Sequence, residues 1–123
     1  MPVAVRALRG ATTLDHDTAD QVRDRTKALV AAMLQRNAVN HDDVISILFT
    51  ATDDIHSLFP ATAAREELGL GDVPLISARE LDIVGSTPRC IRVLVHFSTT
   101  RKPGELHHVY LEGARNLRDD LPG

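Results

Sequence analysis

The chain is poor in cysteine: Cys90 stands alone, so no intrachain disulfide can form and no thiolate cluster can hold zinc. Aromatic side chains are nearly as scarce. Phe49, Phe59, Phe97 and Tyr110 are the whole set, with no tryptophan, too few for a surface on which nucleic-acid bases stack. A net charge of −3 provides no cationic excess for a phosphate backbone, so nucleic acid is not an expected partner. No apolar run has the length of a membrane span, and the opening Met1 to Arg6 stretch lacks the apolar core of a secretory signal. A reducing cytoplasm is the expected compartment. The Glu67-Leu68-Gly69-Leu70-Gly71 string ends a helix and lacks the context of a nucleotide loop. Ser57, Ser77 and Ser86 have no nucleophile-elbow surroundings.

What is present is an ordinary globular balance, 43% apolar and 25% charged over 123 residues, which fits one domain spanning 1–123. A core of this size leaves little room for a deep pocket, so a site between subunits deserves consideration. The positive charge is unusual in kind. Twelve of the fourteen basic residues are arginine, with Lys27 and Lys102 the exceptions. A guanidinium grips carboxylates through two parallel hydrogen bonds, although composition bias alone gives the same count.

Periodicity sets out the elements. Val3 to Arg9 reads as a strand ending at Gly10, with Val3, Val5, Ala7 and Arg9 on one face and Ala4, Arg6 and Leu8 on the other. The Asp15–Thr18 region caps a long helix to about Arg36, whose Val22, Thr26, Leu29, Val30, Met33 and Leu34 form its core stripe. Val44 to Thr50 is β-branched and almost continuously apolar, as expected of a strand covered on both faces. Ala51 to Phe59 reads as a loop with a short helical turn. Pro60 starts a second helix that ends at Leu68 before Gly69. Val73 to Ile76 is extended, and Ser77 to Val84 has no clear preference. Arg89 to Phe97 is a strong strand. Lys102 to Glu105 is a type II turn signal leading into His107 to Glu112, read as a strand antiparallel to its predecessor. Ala114 to Leu117 reads as a short helical turn. The order defines a mixed-sheet α/β or α+β domain.

Arg92 is the residue most in need of explanation, because a charge inside an apolar strand must be paired or must face a wet cavity. A structural ion pair is one reading, and a cleft for an anionic ligand is the other. Arg6, Arg9, Arg65, Arg89 and Arg118 fall near element ends and are candidates for the same cleft. Glu80 would matter there as an acceptor for a substrate hydroxyl. His107 and His108 point to opposite faces of one strand and make poor co-ligands, while Asp53, Asp54 and His56 lack a completing ligand and read as loop caps. Met33 and Cys90 read as packing.

Several strings, in order along the chain, together resemble the small trimeric chorismate mutases of the Bacillus type, the class distinct from the all-helical enzymes. They are Arg9 to Thr13, Ser46 to Thr52, His56 to Ala61 and Ala64 to Glu66, then Val73 to Leu75, Glu80 to Ile83 and Cys90 to Val93. His108 to Ala114 and Leu117 to Leu121 complete the set. The resemblance implies an α+β, mixed-sheet fold forming a trimeric pseudo-α/β barrel, with sites at subunit interfaces that convert chorismate to prephenate without cofactor or metal. It implies a catalytic group of Arg92, Glu80, Arg9 and Tyr110. Phe59 and Arg65 would come from the neighbouring subunit, and Val73, Pro74, Leu75, Ile76 and Ser77 would form a pocket wall. Leu117 and Arg118 would belong to a mobile tail over 115–123 that covers the site. Ser77 replaces the Bacillus-type cysteine and Thr62 its lysine, while Gly85 to Pro88 departs from a more glycine-rich turn. Two other readings remain at this stage: a trimeric imine hydrolase or deaminase, by fold analogy alone, and a nonenzymatic carboxylate-binding regulator.

Overall fold

A computed structural model describes residues 2–117. Five strands form one mixed sheet in the order β3-β2-β4-β1-β5, where β1 is Ala4–Thr13, β2 is Val44–Ala51, β3 is Leu75–Arg79, β4 is Cys90–Thr99 and β5 is Val109–Tyr110. The helices are α1, Ala19–Arg36, and α2, Pro60–Leu68. Strands β1 and β2 run antiparallel to the central β4, while β3 is parallel to β2 and β5 parallel to β1.

Alternation decides which side of the sheet is covered. Leu8, Ile47, Phe49, Ile91, Val93, Val95 and Phe97 join Val22, Leu29, Val30 and Met33 of α1 in a single buried cluster. At the transfer free energy of apolar surface, each large side chain so buried contributes about 1.5–3 kcal/mol. Gly10 permits the close approach of α1: a Cβ there would lie 2.5 Å from the Met33 sulfur and 3.1 Å from a Leu29 methyl. The Thr18 hydroxyl caps α1 by accepting the Gln21 N–H at 3.1 Å. Gly69, at φ 66°, supplies the left-handed end of α2. The opposite face of the sheet carries Val5, Arg9, Leu48, Thr50, Ile76, Arg92 and Leu94; α1 packs on the core side instead, and the Glu112–Ala114 turn reaches the Ala11 and Cys90 end of this face.

Several expectations change. The first strand does not end at Gly10 but continues to Thr13, because β4 supplies partners along its whole length, Thr13 opposite Cys90 included. Strand β2 is covered on one face only within the chain; Ile45 is exposed and Leu48 half-buried. The ambiguous segment from Ser77 resolves into β3 as far as Arg79, where backbone pairing with β2 outweighs weak local preference. No helical turn forms between Thr52 and Phe59. Lys102 to Glu105 is not a type II turn: Pro103–Glu105 is a 3-10 turn, tightened by the Glu105 carboxylate accepting the Lys102 N–H at 2.9 Å. The last strand is only two residues long and pairs in parallel with β1 rather than antiparallel with β4, since both edges of β4 are already occupied. After it, the short helical turn starts earlier than expected, at Glu112–Ala114.

Candidate active site

One transverse row of the open sheet face assembles the site. In register across the strands lie Ala78, Thr50, Arg92, Ala11 and Tyr110. Arg92 therefore sits at the centre, with Tyr110 beyond the small Ala11 on one side. Glu80 follows β3 directly, its N–H donating to the Ala51 carbonyl at 2.9 Å, which returns its side chain to the row beside Thr50. The Thr50 hydroxyl donates to Glu80 Oε2 at 2.7 Å, and Arg92 Nε lies 3.5 Å from the same oxygen. That separation is within Coulombic reach, yet Arg92 Nε makes no hydrogen bond, and neither does the buried Nε of Arg9. Two guanidinium groups thus face the space with donor capacity left over.

Arg9, Glu80, Arg92 and Tyr110 line one cavity of about 210 Å³, together with Thr50, Leu48 and Leu94. The Arg92 side chain is 42% exposed and Glu80 26%, so Arg92 has a carboxylate partner and also opens onto a cavity. Two cations against one carboxylate leave a net positive site suited to an anionic ligand. The volume falls below the roughly 300–1,000 Å³ usual for a small-molecule pocket.

The remaining expected residues divide into groups. Phe59, Arg65, Val73, Leu75, Ile76 and Ser77 line a second groove of about 380 Å³, which also holds Thr62. None of them lines the first cavity. Pro74 precedes β3, its carbonyl accepting the Ile47 N–H at 3.0 Å. The Ser77 hydroxyl is buried without a hydrogen-bond partner, in the groove with Phe59 rather than beside Glu80 of its own chain. Leu117 packs with Tyr110 against the patch formed by Ala11, Cys90 and Ala114, and Arg118 lies outside the described residues. Arg6 and Arg89 do not join the cleft. Arg6 Nε donates to the Arg101 carbonyl, and Arg89 is tied to Leu14 and to the Asp54 carboxylate.

Burial pushes the Cys90 thiol pKa up, against a smaller opposing effect of the Arg92 guanidinium beside it, as befits an unreactive packing residue. Asp53 is hydrogen-bonded by Arg79, which holds its carboxyl below the usual range. Asp54 takes the Arg89 N–H and Asp17 takes the N–H groups of His56 and Ser57. Among the described residues no cluster of three or more His, Cys, Asp or Glu is placed to hold a metal ion, and no helix is long and apolar enough to cross a membrane. Thr50, Leu48 and Leu94 were missed as site residues. Their parity with Arg92 was visible in the strands, but only the cross-strand register shows that they meet.

Fold and site together define an α+β protein that presents a guanidinium–carboxylate pair from the open face of a five-stranded mixed sheet. Residues 5–121 match the family described as Chorismate mutase type I. The chain is similar to the chorismate mutase AroH of Thermus thermophilus, 42% identical over 118 residues covering 95% of this chain and 96% of that protein. It is likewise similar to the chorismate mutase AroH of Bacillus subtilis (strain 168), 38% identical over 117 residues covering 95% and 92%. A chorismate mutase structure from Clostridium thermocellum superimposes with a TM-score of 0.86 at 42% identity, covering 89% of this chain and 97% of that one. This chain belongs to the type I chorismate mutase family, the class apart from the all-helical mutases.

Proposed function

We infer that the protein is an isomerase that rearranges chorismate to prephenate, in aromatic amino-acid biosynthesis, working as a homotrimer with a site at each subunit interface. The observation that carries the reading is the placement of Arg92 between Glu80 and Tyr110 in one cavity, in a chain whose full-length relatives are chorismate mutases.

The reaction breaks one carbon–oxygen bond as it forms one carbon–carbon bond within a single molecule. It needs a compact conformer and stabilisation of uneven charge, and no nucleophile. Arg92 places positive charge at the ether oxygen, where negative charge grows as the bond stretches. Glu80, fixed by the Thr50 hydroxyl, accepts the ring hydroxyl and complements positive character on the ring fragment. Arg9 and Tyr110 orient the side-chain carboxylate.

Three features support a shared site. The catalytic cavity alone is small. The groove of Phe59, Arg65 and Ser77 is separate from it within one chain, and Phe59 is 69% exposed, an unfavourable position for a phenyl ring unless another surface covers it. The uncovered sheet face, with Val5 61% and Ile76 63% exposed, supplies an apolar surface for barrel-like assembly. In the trimer one protomer gives Arg9, Glu80, Arg92 and Tyr110, and its neighbour Phe59, Arg65 and the wall from Val73 to Ser77. Leu117, packed beside Tyr110, contacts bound substrate in this reading together with Arg118, which lies outside the described residues. Thr62, where Bacillus-type enzymes carry lysine, weakens steering of the dianion.

The direct test is the purified protein with chorismate, following loss of the conjugated diene and identifying prephenate. Binding without turnover would sink the reading.

A further inference from the structure

Strand β5 carries Tyr110 but pairs with β1 through only two positions, Gly10 with Val109 and Ala11 with Tyr110. So short a ladder has little hold on its own register. The rung before it is made by a side chain. Arg9 donates its backbone N–H to Nδ1 of His108 at 3.0 Å. A backbone N–H can only donate, so Nδ1 carries no proton in this contact. One residue earlier, the Asn37 amide accepts the His107 N–H at 2.7 Å and donates to the His107 carbonyl at 2.8 Å. Beyond the strand, Leu111 N–H reaches the Ala11 carbonyl at 2.9 Å.

We propose that His108 is a positioning residue of the active site, its Nδ1 fixing the Arg9 backbone against the strand that carries Tyr110. The proposal rests on the reading of Arg9 and Tyr110 as the groups that orient the substrate carboxylate. His108 does not itself line the cavity; it acts through these two. The same hydrogen bond locates Arg9 directly and Tyr110 two residues further along, so its loss alters their separation rather than either residue alone. Displacement of binding groups by about 1 Å costs up to about 100-fold in efficiency. Because Arg9 and Tyr110 hold the carboxylate rather than the breaking bond, the loss falls on substrate binding.

The discriminating pair is His108→Asn, whose Oδ1 offers an acceptor at the position of Nδ1, and His108→Leu, which has similar branching and no acceptor. In chorismate kinetics, the Leu variant is expected to raise KM by about tenfold with kcat within about threefold, whereas Asn stays within about twofold of the parent in KM. KM is independent of the folded fraction, so a purely structural role would leave it unmoved. Equal KM in the Leu variant and the parent, or equal impairment in Leu and Asn, overturns the proposal. If the Leu variant does not fold, His108→Gln, which displaces its acceptor by one methylene, takes its place with the same expected outcome. Amide hydrogen exchange at Arg9 gives a readout without substrate: protection retained in Asn and lost in Leu or Gln is expected, and equal protection in all overturns the rung. A parent protein that shows this exchange pattern but does not turn over chorismate would refute the functional reading alone.

Discussion

Arg92 is placed so that its removal is felt in chemistry more than in folding. Its side chain is 42% exposed, and its Glu80 partner keeps a hydrogen bond from Thr50, so Arg92→Ala opens no cavity and strands no carboxylate. The variant is expected to lose about 100- to 1,000-fold in kcat/KM, the usual effect of deleting a donor to a developing negative charge. Its Tm should move by less than about 4 °C. Near-normal turnover measured beside a melting curve on the same sample would end the assigned role. Ala11 shows the complementary use of a small side chain: 1% exposed and directly between Arg92 and Tyr110 in the sheet, it brings the two within one cavity without filling it. Nothing about an alanine in sequence announces that task.

At the scale of elements, the join between α1 and the segment entering β5 depends on Asn37. It is 2% exposed, and its side chain bonds the Met33 carbonyl and both backbone polar groups of His107, while its own carbonyl accepts from Arg101 at 2.6 Å. In sequence Asn37 is only the residue after the helix end at Arg36. Asn37→Leu keeps the volume and leaves buried backbone groups unpaired, which costs about 1–3 kcal/mol for each group stranded. Urea unfolding should show a loss of at least about 2 kcal/mol for Leu, and a loss for Asn37→Asp as well, which keeps the acceptor toward the His107 N–H but turns a buried carboxylate on the Met33 and His107 carbonyls. A Leu variant as stable as the parent would show that water or backbone shifts replace the amide. The parallel docking of β5 was illegible for a related reason: local pattern identifies an extended segment, but the free edge of β1 decides where it pairs.

For the whole molecule, the proposed sharing of the site between subunits makes complementation the decisive observation. Arg92→Ala and Arg65→Ala proteins are each expected to be impaired, and in the proposed trimer mixed assemblies formed by co-refolding should regain activity, because some interfaces then unite an intact Arg92 with an intact neighbouring Arg65. No regain after verified subunit exchange would place both groups in a single-chain site. Acid response belongs to this scale as well. Asp17 is held below the usual carboxylate range chiefly by the Ser57 hydroxyl, Asp53 by Arg79 and Asp72 by His41. A depressed folded-state pKa means that the unfolded chain binds protons first, so these contributions are present above the model-peptide pKa near 3.8 and are lost as pH falls through the folded values. Stability followed by circular dichroism should be flat in this respect from neutrality to about pH 5 and decline below about pH 4; a decline centred near pH 6 would implicate histidines instead.

The sequence by itself determined the two helices, the strands about Ile47 and Val93, the packing roles of Met33 and Cys90, and the oddity of Arg92. These follow from side-chain periodicity and caps, which act within a few residues. The ordered strings from Arg9 to Leu121 also carried the family likeness. Tertiary structure alone decided that Arg92 lies between Thr50 and Ala11, that Arg6 and Arg89 serve the scaffold, and that Phe59 and Ser77 face a different groove. Those outcomes depend on strand register and sheet order, in which residues some 40 to 100 positions apart become neighbours through hydrogen bonds that no local pattern encodes.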